Sequence, residues 1–221
     1  MMAATGVARA SSPDAALSVR GLECMRGDRV VLTALDLTVR HGEILQIVGP
    51  NGSGKTTLIR VLSSLSTPTA GAVHWRGQNI HSEPIRWREE MLFAGHTTGT
   101  SPNLTVAENQ RFTLALADQR PQVAMHEALA RVGLADYAGT LVGRLSAGQR
   151  QRLVLARLIQ LPARAWLLDE PLTALDESGK QLFESLLIEH AAAGGLAILA
   201  THQHLTLPAS LDRQLRLESA A

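Results

Sequence analysis

Gly49-Pro50-Asn51-Gly52-Ser53-Gly54-Lys55-Thr56 decides the reading of this chain. It follows an apolar stretch, Glu43 to Val48, of the kind that forms a short buried strand. It precedes Lys55 to Leu65, whose apolar residues at 58, 59, 61, 62 and 65 have helical spacing. A G-x-x-x-x-G-K-[ST] segment between a strand and a helix has a physical purpose. The glycines let the backbone curl so that successive N–H groups point inward, and the helix begins with its positive dipole end facing the same space. The chemistry that fits is a nucleotide phosphate chain. Gly49 to Gly54 and the first helical residues, Thr57 included, would supply backbone donors, Lys55 would reach the β- and γ-phosphates, and Thr56 would offer a hydroxyl to Mg²⁺. The lysine is conspicuous, because only Lys55 and Lys180 among 21 basic residues are lysine.

Outward from this loop the pattern alternates. Leu17–Leu22, Val30–Val39 and Gly71–Trp75 are strand-like, with a turn at 76–78, and predict a mixed β layer around the first βα unit. Val106–Leu116, Val123–Val132 and Gln149–Leu161 are amphipathic helical stretches, giving a helical insertion over about 97–160. Strand character returns at Ala165–Leu168 and Leu196–Thr201, which bracket a helix over about Ser178–Ala192. Alternating buried strands and helices predict an α/β fold with a mostly parallel sheet covered on both faces.

The second acidic feature sits at a strand end. Ala165-Trp166-Leu167-Leu168 runs into Asp169-Glu170, where open α/β sheets deliver side chains to a ligand. Asp169 suits Mg²⁺, and Glu170 can take a proton from an attacking water. Ser146 and Gln149, three residues apart at the start of a helix, form a capping box, and such a helix start also suits an anion.

Composition narrows the remaining classes. The chain has 221 residues, 45% hydrophobic, 19% charged, with net charge +1 and one cysteine, Cys24. At this length a single core can bury roughly 70% of the unfolded surface, so a disulfide scaffold, collagen and disorder are excluded. The balanced charge gives no electrostatic reason for a nucleic-acid partner. The longest charge-free apolar run near the end, Ala191–Thr201, is far short of the ~18–20 residues of a bilayer span. The first residues lack a basic start and a continuous apolar core, so 1–16 are expected to be a flexible tail rather than a secretory signal, followed by a single domain over 17–221.

Phosphate loop, Leu145-Ser146-Ala147-Gly148-Gln149, Leu167-Leu168-Asp169-Glu170-Pro171, Thr173-Ala174-Leu175-Asp176 and Thr201-His202 occur in the order of an ABC-transporter ATPase, which the chain resembles from Leu17 to about His204. The resemblance implies a P-loop NTPase cassette with an N-terminal antiparallel β subdomain, hydrolysing ATP with Mg²⁺ and pairing with a second ATP-binding subunit, as a homodimer. It implies that Ser146, Gly148 and Gln149 face the γ-phosphate bound by the partner copy. Asp176 would support the opposite site, and His202 would hold the γ-phosphate and orient Glu170. Two departures stand out. Cys24-Met25-Arg26-Gly27 occupies the place of the usual adenine-stacking aromatic, and His96 stands where a glutamine normally senses γ-phosphate and Mg²⁺.

Gly95-His96, then Leu104-Thr105-Val106-Ala107-Glu108-Asn109, the alanine-bearing signature, and Gly194-Gly195 running to His202-Gln203 resemble the ATP-binding subunit of the cytochrome c maturation heme exporter. That resemblance implies a peripheral subunit on the cytoplasmic face of the cell inner membrane, docked on integral-membrane transporter subunits. It further implies a role in driving heme export or the release of a heme chaperone. His202-Gln203-His204 is not expected to bind heme directly, since no third ligand is suitably spaced and a c-type attachment motif is absent. Trp87 and the loop Thr97–Asn103 are candidates for the docking surface, with ordinary exposed residues the equal alternative. A soluble nucleic-acid ABC ATPase is the competing class, but its coiled coils, zinc modules or second cassette are not visible.

Overall fold

The computed structural model describes residues 15–27, 29–95 and 98–218. Its described strands form two sheets. A five-stranded sheet has the order β6 (Met91–Ala94), β7 (Ala165–Asp169), β8 (Leu196–Ala200), β3 (Ile44–Val48) and β9 (Arg213–Arg216), with every neighbouring pair parallel. A four-stranded antiparallel sheet has the order β2 (Arg29–Arg40), β1 (Ala15–Arg26), β4 (Ala70–Trp75) and β5 (Gln78–Asn79).

The central strands explain the layering. β7 and β8 are buried at every position and β3 at all but its last, which is why they read as continuous apolar runs. Side chains alternate between the two faces. Leu45, Ile47, Leu167 and Ile198 join α1 (Lys55–Leu62) and the antiparallel sheet in one core. Ile44, Trp166, Leu168, Ala197 and Leu199 join α4 (Met125–Arg131), α5 (Ala147–Gln160) and α6 (Glu177–Ala192) in the other. Between β6 and β7 the chain forms α3 (Val106–Ala117), α4, two short 3-10 turns and α5.

Several details depart from the sequence expectation. Ala15 and Ala16, assigned to the tail, lie in β1: Ala15 pairs with Arg40, and Ala16 is buried. α1 ends at Leu62 rather than Leu65, where Ser64 turns the chain with φ 54°. Residues 84–94, to which the sequence pattern assigned no element, form α2 (Pro84–Glu90) and the edge strand β6. Trp87, a candidate for the docking surface, is instead 2% exposed. Pro84 starts a short helix that turns the indole inward against Trp75, with ring centroids 4.9 Å apart, and its Nε1 donates to Leu62 O at 2.9 Å. β9 was not foreseen either, because its RQLR sequence is largely exposed and carries no apolar pattern.

Candidate functional site

β3, β8 and β7 end side by side. Ile47 is in register with Ala200, and Ala200 with Asp169. The C-terminal edge of the sheet therefore gathers the loop after Val48, the acids after Leu168 and the segment after Ala200, the place where open α/β sheets bind ligands.

The loop itself is shaped by its glycines. Gly49 has φ 154°, and a Cβ there would lie 2.3 Å from Leu217 O and 2.8 Å from Ser53 Oγ. The chain leaving β9 thus packs directly beneath the loop, and only glycine fits. Pro50, Asn51 and Gly52 are exposed, whereas Ser53 and Gly54 are buried. The Ser53 hydroxyl is buried and has no hydrogen-bond partner among the described residues. Gly54 is the N-cap of α1, and Lys55, Thr56 and Thr57 form its first turn, whose N–H groups have no partner within the helix. A buried orphan hydroxyl, free helical donors and a dipole end make a cradle that fits an anion. Lys55 is 7% exposed, and its Nζ donates to Gly49 O at 2.8 Å and Pro50 O at 3.0 Å.

Thr56 Oγ1 donates to Asp169 Oδ1 at 3.1 Å, and Asp169 is 4% exposed. A hydroxyl and a carboxylate so close are hard oxygen donors of the type Mg²⁺ takes together with phosphate oxygens and waters. Glu170, the next residue, is turned by a left-handed backbone, φ 54°, which is uncommon for a non-glycine residue. Its N–H donates to Ala200 O at 2.8 Å, and its Oε1 lies 3.2 Å from His202 Nε2. Two consecutive carboxylates therefore face different partners.

Ser146, Gly148, Gln149 and Asp176 form a second group. Ser146 caps α5: its Oγ accepts from Gln149 N at 3.1 Å, and Gln149 Oε1 accepts from Ser146 N at 2.9 Å. Gln151 Nε2 donates to Pro171 O at 2.7 Å, tying α5 to the chain that follows Glu170. Asp176 caps α6 through Gly179 N at 2.9 Å and accepts from Arg152 Nη2 at 2.6 Å. The Arg152 guanidinium, with the Gly179 amide, holds its carboxyl below the usual carboxylate range. Arg152 was not singled out from sequence, since a pair 24 residues apart leaves no local signal. The described residues hold no hydrogen bond between this second group and the phosphate loop. His96 lies outside the described residues.

Gly148 has a sharp steric limit, because a Cβ there would lie 2.8 Å from Ala174 O. Gly148→Ala is expected to push the first turn of α5 off residues 173–176 and to lower ATP hydrolysis about tenfold or more, the scale of one misplaced contact. The affinity of the chain for a fluorescent ATP analogue should stay within about twofold. Phosphate-release assays paired with nucleotide titration check both.

This geometry is that of a phosphate-loop ATPase, and residues 32–173 match the ABC transporter family. The chain belongs to the ABC transporter family as one of its ATP-binding cassettes. It is 40% identical over 201 residues to the cytochrome c biogenesis ATP-binding export protein CcmA of Aliivibrio fischeri, covering 91% of this chain and 98% of that protein. The protein of the same description from Methylococcus capsulatus is 45% identical over 193 residues, covering 87% and 93%. Among solved structures, an ABC transporter ATP-binding protein from Pyrococcus furiosus shares the fold, with TM-score 0.76 at 24% identity over 91% of this chain and 96% of that one. The ATP-binding subunit of another ABC transporter gives TM-score 0.79 at 23% identity, covering 93% and 88%.

Proposed function

We propose that this chain is the ATP-hydrolysing subunit of an export complex that serves cytochrome c biogenesis, coupling ATP turnover to heme export or to release of a heme chaperone. The observation that carries the reading is the 40% identity, over 98% of its length, to a cytochrome c biogenesis ATP-binding export protein. The site supplies the means. The backbone donors of Gly49–Thr57 and the Lys55 ammonium hold the phosphates, and Thr56 and Asp169 hold Mg²⁺. The metal, when bound, neutralises charge on the β- and γ-phosphates. Glu170 takes the proton of the attacking water, and His202 keeps Glu170 aimed through its 3.2 Å contact. His96 takes the place of the γ-phosphate-sensing glutamine.

In this reading a second copy of the chain completes each site. Its Ser146, Gly148 and Gln149 close over the γ-phosphate held by the first copy's loop, with Asp176 supporting the opposite site. A single ATP-binding domain begins with β1 at Ala15, with the helical subdomain over about 97–160. No described helix is long and apolar enough to cross a membrane. The subunit acts from the cytoplasmic face of the inner membrane, bound to integral-membrane partners that handle the heme.

Gentle purification from membranes, with identification of the co-purifying integral proteins, tests the assignment. Recovery with cytochrome maturation components supports it. Recovery with unrelated membrane proteins overturns the heme assignment and leaves the ATPase. Recovery without membrane proteins, together with DNA binding that weakens steeply with salt, selects the nucleic-acid class instead.

A further inference from the structure

Arg157 is a half-buried cation with no carboxylate partner among the described residues. It lies on α5, eleven residues beyond Ser146 and so about 16 Å further along the helix. Its Nη1 donates to Thr98 O at 2.7 Å and its Nη2 to Gly99 O at 3.2 Å. Its Nε is buried without a partner among the described residues. Burial pushes its pKa down to about 10, which still leaves it charged at neutral pH. Taking a guanidinium out of water is costly, and an apolar side chain would fill the same space without that cost. What the guanidinium adds is a rigid fork of donors matched to two successive carbonyls.

A second clamp acts on the same stretch. Asn109 of α3 is 2% exposed. Its Nδ2 donates to Ser101 O at 3.0 Å, Leu104 O at 3.2 Å and Thr105 O at 3.1 Å, and its Oδ1 accepts from Ser101 N at 2.8 Å. Residues 98–105 are thereby tied to the helical layer at both ends. The chain reaches this stretch from β6, whose last residue, Ala94, is in register with Leu168, immediately before Asp169. Thr98 is four positions beyond Ala94, a reach of at most about 14 Å. The stretch tied by Arg157 and Asn109 thus begins just beyond the strand that ends beside Asp169 and leans on the helix that Ser146 opens.

We propose that Arg157 is a positioning residue for ATP hydrolysis: its fork fixes residues 98–99 to α5 and so holds the helix that carries Ser146 and Gly148 in its working orientation. The role rests on the ATPase reading above, while the clamp itself can be measured without nucleotide. The variants are Arg157→Met, which fills the space without donors, and Arg157→Lys, which keeps the charge but offers a single ammonium in place of the fork.

Hydrogen exchange at the Ser101 amide, which donates to Asn109 Oδ1 within the clamped stretch, should rise about tenfold in Arg157→Met and less in Arg157→Lys. In the full chain, kcat should fall about tenfold or more in Arg157→Met, with KM for ATP within about twofold and partial recovery in Arg157→Lys. If the methionine variant does not fold, the lysine variant carries both measurements. Unchanged exchange at Ser101 overturns the clamp even where the wild-type chain hydrolyses ATP. A loss of kcat that simply tracks a fall in melting temperature and in ATP affinity overturns the positioning role. A wild-type chain that releases no phosphate overturns the ATPase reading instead and leaves the exchange result standing.

Discussion

Lys55→Arg is expected to lower steady-state ATP hydrolysis about 100-fold or more, the scale of losing one preorganised charge contact to a transferring phosphoryl group, although the substitution conserves charge. The reason lies in how the ammonium is held. It is 7% exposed, and two of its three N–H donors point at Gly49 O, 2.8 Å away, and Pro50 O, 3.0 Å away. In the proposed function the third is left for a phosphate oxygen, so one side chain would brace the loop and bind the ligand together. A guanidinium is planar and larger, and its donors lie in one plane. It cannot make both carbonyl contacts and keep a donor directed at the ligand, and its bulk meets a loop whose clearance at Gly49 is already set by Leu217 O. Lys180, the other lysine, lies on α6 and takes no part. Phosphate release and nucleotide titration should fall together, while the melting temperature without nucleotide changes little. Wild-type turnover in this variant would count against Lys55 as the phosphate-binding residue.

The site was legible in the sequence wherever its parts are contiguous. Gly49–Thr56 and Asp169-Glu170 each follow a strand buried on both faces, and such strands announce themselves as unbroken apolar runs. Edge strands carry no such mark. β9, RQLR, carries a single apolar residue and shows no pattern, and β6, MLFA, is an apolar run too short to tell strand from helix, although β9 leads into the Leu217 carbonyl that closes the space at Gly49. Trp87 misled for a related reason. Flanked by Arg86, Arg88 and Glu89, it looks like an exposed aromatic, but one turn of helix buries it against Trp75 while its charged neighbours stay outside. Long-range polar contacts left no trace. Arg152 on Asp176 and Arg157 on Thr98 and Gly99 join residues 24 and nearly 60 positions apart, and arginines on an amphipathic helix otherwise read as a solvated face. The sequence pattern thus carried the residues that form the loop and the acidic strand end, whereas the contacts that hold the second group of candidate residues in place became visible only in three dimensions.

Glu170→Gln is expected to lower turnover about 1,000-fold, within the range of removing a general base, while leaving nucleotide binding intact. The amide matches the carboxylate in size and keeps an oxygen that can accept from His202, so the 3.2 Å contact can persist. What it loses is the capacity to take a proton from water. The backbone argues that the carboxylate's direction matters: φ 54° at a non-glycine residue costs on the order of 1–3 kcal/mol. That conformation turns Glu170 away from Asp169 and toward His202. Asp169 is thereby left to Thr56 Oγ1, and the two acids meet different partners from adjacent positions. With hydrolysis blocked and ATP still bound, the variant should accumulate as an ATP-dependent pair of chains, seen as a shift in size-exclusion elution that reverses when nucleotide is removed. His202→Ala provides the companion measurement. It should lower kcat even with Glu170 in place, because the carboxylate then loses the partner that aims it. Full turnover in Glu170→Gln would move the base elsewhere on the sheet edge, and full turnover in His202→Ala would reduce their 3.2 Å contact to a feature of the nucleotide-free state.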